Sequence, residues 1–137
     1  MAAGPAELKV KDIMHRGVIT CRPDTLAREV VRILSDASVH ALIVSASGSE
    51  IDGVISHMDV IKLYGKNLLE IRARDIMSTL VYDISPEAPI SQGIEMLLQH
   101  RVHRLVVTEQ GPEGKIAVGV LSTTDIILEM RGQPWFW

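Results

Sequence analysis

The chain has 137 residues, 47% of them apolar and 23% charged, which suits one compact domain or two very small ones and excludes a multidomain enzyme. Its 14 Lys and Arg against 17 Asp and Glu give a net charge of -3, which argues against nucleic-acid binding because a duplex-binding face must be basic enough to release counterions. The start, Met1 to Asp12, has no apolar stretch behind a basic one, and the chain holds no run of about 18 apolar residues, so a soluble, cytoplasmic protein without a membrane span is expected.

In chain order, Asp12-Ile13-Met14 comes first, followed by a short apolar stretch from Gly17 to Cys21 that stops at Pro23, a residue suited to a strand end and not its middle. Leu26, Val30, Ile33, Leu34 and Ala37 recur at helical spacing. His40 to Ala46 and Ile51 to Ser56 then read as two short strands joined by a Ser/Gly/Glu turn, and a second helix runs from His57 to about Tyr64. Residues 65–73 have the composition of an ordered linker.

The same order then repeats. A shift of 63 residues places Asp12-Ile13-Met14 on Asp75-Ile76-Met77, Pro23 on Pro86, Val39-His40 on Val102-His103 and Gly48 on Gly111. Positions 11–50 show 12 identities at this offset, where average composition would give about two or three. Beyond a longer turn at Gly111-Pro112-Glu113-Gly114 the offset becomes 66, and Gly53, Ser56 and Asp59 fall on Gly119, Ser122 and Asp125. Leu80 to Ile84 is the second apolar stretch, Pro89 sits near a helix start with Ile90, Ile94, Leu97 and Leu98 behind it, Arg104 to Thr108 and Ile116 to Leu121 form the hairpin, and the last helix spans Thr123 to about Met130. The expected organisation is therefore repeat 1 over 9–64, linker 65–73, repeat 2 over 74–131 and an aromatic tail over 132–137. A unit of about 60 residues buries too little surface to stand alone, so the two are expected to share one core around a pseudo-twofold axis, with paired clefts between them.

The turns into the last helix of each repeat carry the chemistry. Helix N-termini offer unpaired N–H groups to anions, and Ser122, Thr123 and Thr124 add three hydroxyls there, while the Asp125 carboxylate can accept two bonds from vicinal hydroxyls such as a ribose diol. Ser56-x-x-Asp59 and Ser122-x-x-Asp125 equally fit helix capping boxes, so both readings stand. His103-Arg104 leads into an apolar strand, where a cation could face a phosphate. Five scattered His without ligand spacing argue against a metal site, and the lone Cys21 reads as a small strand residue. No GxSxG, Walker or GxGxxG motif is present, so no catalytic activity is expected.

The repeated Asp-Ile-Met, the Thr20-Cys21-Arg22-Pro23-Asp24 segment and the Gly-x-x-Ser-x-x-Asp at both helix starts resemble the CBS (cystathionine β-synthase) domain, and residues 9–131 look like a stand-alone tandem CBS pair. Val102-His103-Arg104-Leu105-Val106-Val107 is also similar to a segment of the gamma subunits of AMP-activated protein kinase. The resemblance implies an α/β (α+β) fold of two βαββα repeats and two clefts for adenosine-containing ligands: AMP, ADP or ATP, with S-adenosylmethionine as another possibility. It places Asp125 on a ribose, Ser122 and Thr124 near its phosphate, Thr20 alongside from the first repeat, and His103 and Arg104 as phosphate contacts. The second cleft would use His40, Ser56 and Asp59, and is expected to be weaker because Met58 replaces a hydroxyl and Asp83 replaces the threonine, setting a carboxylate against a phosphate. The resemblance further implies a non-catalytic regulatory module, a homodimer, and an unidentified regulated partner, with Trp135-Phe136-Trp137 a candidate contact. A structural dimerisation module without a ligand is the competing expectation.

Overall fold

In the computed structural model, which describes residues 7–36, 39 and 41–132, the repeated Asp-Ile-Met is a one-turn helix, α1 (Val10–Ile13) and α4 (Ala73–Ile76). Its acid folds back on the chain: Asp12 and Asp75 each accept, through Oδ2, the backbone N–H three residues earlier, from Lys9 and Arg72, at 2.8 Å. That bond satisfies a donor the helix itself leaves over. His40, Ala37 and the Trp135-Phe136-Trp137 tail lie outside the described residues.

After α1 come β1 (His15–Arg16), β2 (Ile19–Cys21), α2 (Ala27–Leu34), β3 (Leu42–Val44), β4 (Gly53–Ile55) and α3 (His57–Ile61). After α4 come β5 (Asp83–Ile84), α5 (Ile90–His100), β6 (Arg104–Gly111), β7 (Gly114–Ser122) and α6 (Thr123–Arg131). One sheet has the order β2-β3-β4 and the other β1-β7-β6-β5; β2 runs parallel to β3 and β5 to β6, while the β3–β4 and β6–β7 hairpins are antiparallel. Pro89 is the N-cap of α5, as its place in the sequence suggests. The second hairpin is much longer than expected, with β6 and β7 paired from Arg104–Ser122 to Gly111–Gly114 around a bulge at Val107/Thr108.

Alternation along the strands gives each sheet two faces. Leu42 and Val44 join Val30, Leu34 and Ile55 in one apolar cluster, and Leu105, Val107 and Leu121 join Ile84 and Leu97 in another. The intervening Ala41, Val54, Val106 and Val120 line a cavity between the sheets.

The expectation of a single shared core is corrected: the buried apolar residues among those described form two clusters, tied together by exchange of the lead-in segments. Val10, Ile13 and Met14 pack in the cluster of the second repeat, and Ala73, Ile76 and Met77 in that of the first. The exchange is symmetric in its hydrogen bonds. Val10 and Lys11 donate their N–H groups to Ala88 O and Pro86 O, and Ala73 and Arg74 donate theirs to Thr25 O and Pro23 O, all at 2.8–3.0 Å. β1 pairs antiparallel with β7, and Ser78 forms the equivalent bridge to Val54 of β4. Each small unit thus completes its core with residues of the other, which is the physical answer to its insufficient size.

The exchange also accounts for the repeated glycine before each last helix. A Cβ on Gly119 would lie 2.3 Å from His15 O, and one on Gly53 2.9 Å from Ser78 O. Only glycine lets the crossing backbone come this close.

Candidate functional site

The turns at Ser56 and Ser122 are built alike. Asp59 and Asp125 each accept through Oδ2 from the backbone N–H of the serine at 2.8 Å and from its hydroxyl at 3.1 and 3.0 Å, so each closes the start of its helix. At Ser122 the hydroxyl also accepts from Asp125 N–H at 3.2 Å. Capping uses only one oxygen of each carboxylate, and an ionised carboxylate has room for about four hydrogen bonds. The second oxygen decides what else the residue can do.

Asp59 lines a cavity of about 520 Å³ between the repeats, and its Oδ1 has no hydrogen-bond partner among the described residues. The first repeat contributes Ser56, His57 and Met58 beside it, and the second contributes Tyr82, Arg101, His103 and Arg104. Val54, Val81, Val102, Val106 and Val120 complete an apolar wall. Arg104 starts β6 on the same strand face as Val106, which aims it between the sheets, and burial pulls its guanidinium below the usual range. Arg101 ends α5 in the left-handed conformation (φ 54°). Tyr82 stacks on His100 with ring centroids 4.0 Å apart, a contact that orients the tyrosine at the cavity wall.

Asp125 has the opposite surroundings. Its side chain is only 3% exposed, and Oδ1 takes a 2.8 Å contact from Nδ1 of His15, whose own side chain is 47% exposed. The corresponding cavity, about 300 Å³, is lined by His15, Arg16, Gly17, Val18, Ile19, Val39, Ala41 and Val120, and neither Ser122, Thr124 nor Asp125 reaches it. Thr124 is exposed. Thr20 lines a separate hollow of about 190 Å³ with Ser45, Gly48 and Ile116.

The structure therefore divides the residues that the sequence assigns to one cleft. His103 and Arg104 sit with Ser56 and Asp59 in the wide cavity, not with Thr20, Ser122, Thr124 and Asp125. Asp83 stands outside the wide cavity, in a third hollow, where Lys115 Nζ and Thr108 Oγ1 bind its Oδ2 at 2.9 and 2.7 Å. Burial pushes the Asp83 carboxyl up, but those two bonds outweigh it and hold the group below the usual range, so its charge is answered locally. Cys21 ends β2 inside the first cluster, and burial pushes its thiol up against a bond from Thr25. Tyr82, Arg101 and His15 were not singled out from the sequence; the only cue was their place beside the paired motifs, after Asp-Ile-Met and before His103.

Residues 10–66 and 73–132 each match the CBS domain. The chain belongs to the CBS domain family. Among curated relatives of this CBS pair, an uncharacterised protein of Methanopyrus kandleri is 27% identical over 88% of the chain and 61% of its own length. Inosine-5'-monophosphate dehydrogenase of Methanocaldococcus jannaschii is 25% identical over 92% of the chain and 24% of its own length. The pair thus spans about three fifths of the first relative and a quarter of the second. The fold matches the CBS domain pair of protein MJ0100, solved in complex with 5'-methylthioadenosine and S-adenosyl-L-methionine, with a TM-score of 0.80, 20% identity and coverage of 92% of this chain and 98% of that one. It also matches the hexameric CBS-CP12 protein of bloom-forming cyanobacteria with a TM-score of 0.77, 22% identity and coverage of 91% and 69%. No helix among the described residues is long and apolar enough to cross a membrane.

Proposed function

We propose that this CBS pair is a non-catalytic sensor that takes an adenine nucleotide into the wide cleft. The observation that carries the reading is Asp59: one oxygen closes the helix cap while the other is left to the cavity, where a ribose diol can donate to it. Arg101, Arg104, His57 and His103 share that cavity with a single carboxylate, which favours a ligand bearing phosphate over the cationic sulfonium of S-adenosylmethionine. The valine wall, Met58 and Tyr82 offer the base an apolar seat. The adenosyl compounds bound by the MJ0100 pair support the adenosine part of the reading. Thr20, Ser122, Thr124 and Asp125 do not line the wide cleft and are assigned a secondary role, as are Asp83 and His40.

A ligand touching α3 from one repeat and β6 from the other binds best to one relative placement of the two, and by that preference it shifts their equilibrium. The partner protein reads that shift. A second copy is the first candidate: Met58, Ile61 and Tyr64 at α3 and Ile127, Leu128 and Met130 on α6 are exposed apolar residues suited to a homodimer contact. Thermal melts with AMP, ADP, ATP and S-adenosylmethionine test the ligand. At 100 times its dissociation constant a specific ligand adds about 2.7 kcal/mol of stability. The nucleotides should raise the midpoint and S-adenosylmethionine should do so less; no shift with any of the four would leave the dimerisation module as the better reading.

A further inference from the structure

The two clefts hold the same capped aspartate, yet only one presents it. At the wide cleft the residue following Asp-Ile-Met is Ser78, whose side chain donates to Leu80 O and leaves Asp59 alone. At the narrow cleft the same position is His15, and its Nδ1 lies 2.8 Å from Asp125 Oδ1. β1 pairs His15 with Val120 on β7, a crossing that any Cβ at Gly119 would obstruct, so the imidazole is delivered to the carboxylate by the backbone and not by chance of a long side chain. The consequence is visible in the walls: the Ser56-Asp59 turn lines a cavity of about 520 Å³, whereas the Ser122-Asp125 turn is absent from the 300 Å³ cavity and His15 lines it instead.

We propose that His15 is a latch on a second ligand site, occupying the one oxygen of Asp125 that a ribose diol would use and keeping the narrow cleft shut while the wide cleft binds. This rests on the reading of the wide cleft given above. A ligand entering the narrow cleft must first displace the imidazole, so its affinity there is lowered by the cost of opening, as for any site whose competent state is a minor one. The latch also makes the pair unequal by construction, with one ready site and one that opens only when His15 turns away.

The test is calorimetric titration of wild type, His15→Ser and His15→Asn with AMP and with S-adenosylmethionine, each variant first shown to melt cooperatively. Ser places at position 15 the residue that the open cleft has; Asn keeps a donor near the position of Nδ1. One site is expected in wild type and in His15→Asn, and a second, abolished by adding Asp125→Ala, in His15→Ser. Wild-type binding at one site with no gain in His15→Ser overturns the latch and leaves the wide-cleft reading intact, as does wild-type binding at two equal sites. A silent wild type with one new site in His15→Ser supports the latch and overturns the wide-cleft reading. Silence in all three overturns both.

Discussion

Asp59 and Asp125 close the same cap with the same oxygen, and the comparison between them shows how a duplicated motif acquires two roles. Oδ1 of Asp59 is left to a cavity; Oδ1 of Asp125 lies 2.8 Å from His15 Nδ1 on a side chain that is only 3% exposed. Capping is common to both and is therefore structural in both, while the potential for ligand binding depends on what the lead-in segment of the other repeat brings alongside. Ser78 leaves the carboxylate accessible and His15 covers it.

The largest effect is expected where the exchange itself is broken. In Gly119→Ala the new methyl meets a backbone carbonyl at 2.3 Å, and a backbone cannot step aside as a side chain can; the loss should reach the upper end of the roughly 1–3 kcal/mol typical of overpacking. Gly53→Ala should cost less, since Ser78 O is 2.9 Å away and the other two close atoms, Met77 Sδ and Cγ at 2.7 and 2.9 Å, belong to a flexible side chain. Chemical denaturation of the two variants measures the difference, and equal losses would show that the two crossings are not as unlike as these distances indicate.

Next comes ligand affinity. Removing the free oxygen in Asp59→Ala should cost about 1.5–3 kcal/mol for a charged hydrogen-bonding group, one to two decades in the dissociation constant of AMP. Asp125→Ala should leave that affinity unchanged and instead lose about 0.5–2 kcal/mol of folding stability with its cap. Calorimetry on folded protein separates the two; equal affinities in both variants would remove the functional distinction between the clefts.

The smallest effect concerns Asp83. Burial raises its pKa, the bonds from Lys115 and Thr108 lower it further than burial raises it, and the folded value lies below the ordinary one. Stability from this group is therefore fully present above the ordinary carboxylate range and is lost as pH falls through the lower, folded value. The pair is partly exposed, so Lys115→Ala should cost no more than about 1 kcal/mol at neutral pH, and the cost should vanish in strong acid where both proteins carry a neutral Asp83. A cost independent of pH would place the contribution of Lys115 in packing instead.

Much of this molecule is legible in 12 identities and a few motif residues. Asp59 and Asp125 act within three residues of themselves, so local spacing was enough to mark those caps, whereas the equivalent bonds of Asp12 and Asp75 emerged only from the structure. The helical spacing of Val30 and Leu34 and the apolar run Leu105-Val106-Val107 marked buried segments, and all five side chains are buried. The Ser-x-x-Asp turns were likewise recognisable as either caps or ribose acceptors, and the structure shows the capping bonds at both.

What the sequence by itself determined is therefore the set of local units: two repeats, their caps, strands and helices, and the family to which they belong. Only the tertiary structure decided how the units share residues. Each lead-in segment crosses to the other repeat's cluster, Arg104 shares a cavity with Asp59 because β6 turns that face inward, and His15 reaches Asp125 across 110 residues of chain. The physical reason is range. A cap or a strand period is set by bonds between near neighbours, whereas the second oxygen of a carboxylate is claimed by whatever the completed fold places within about 3 Å of it.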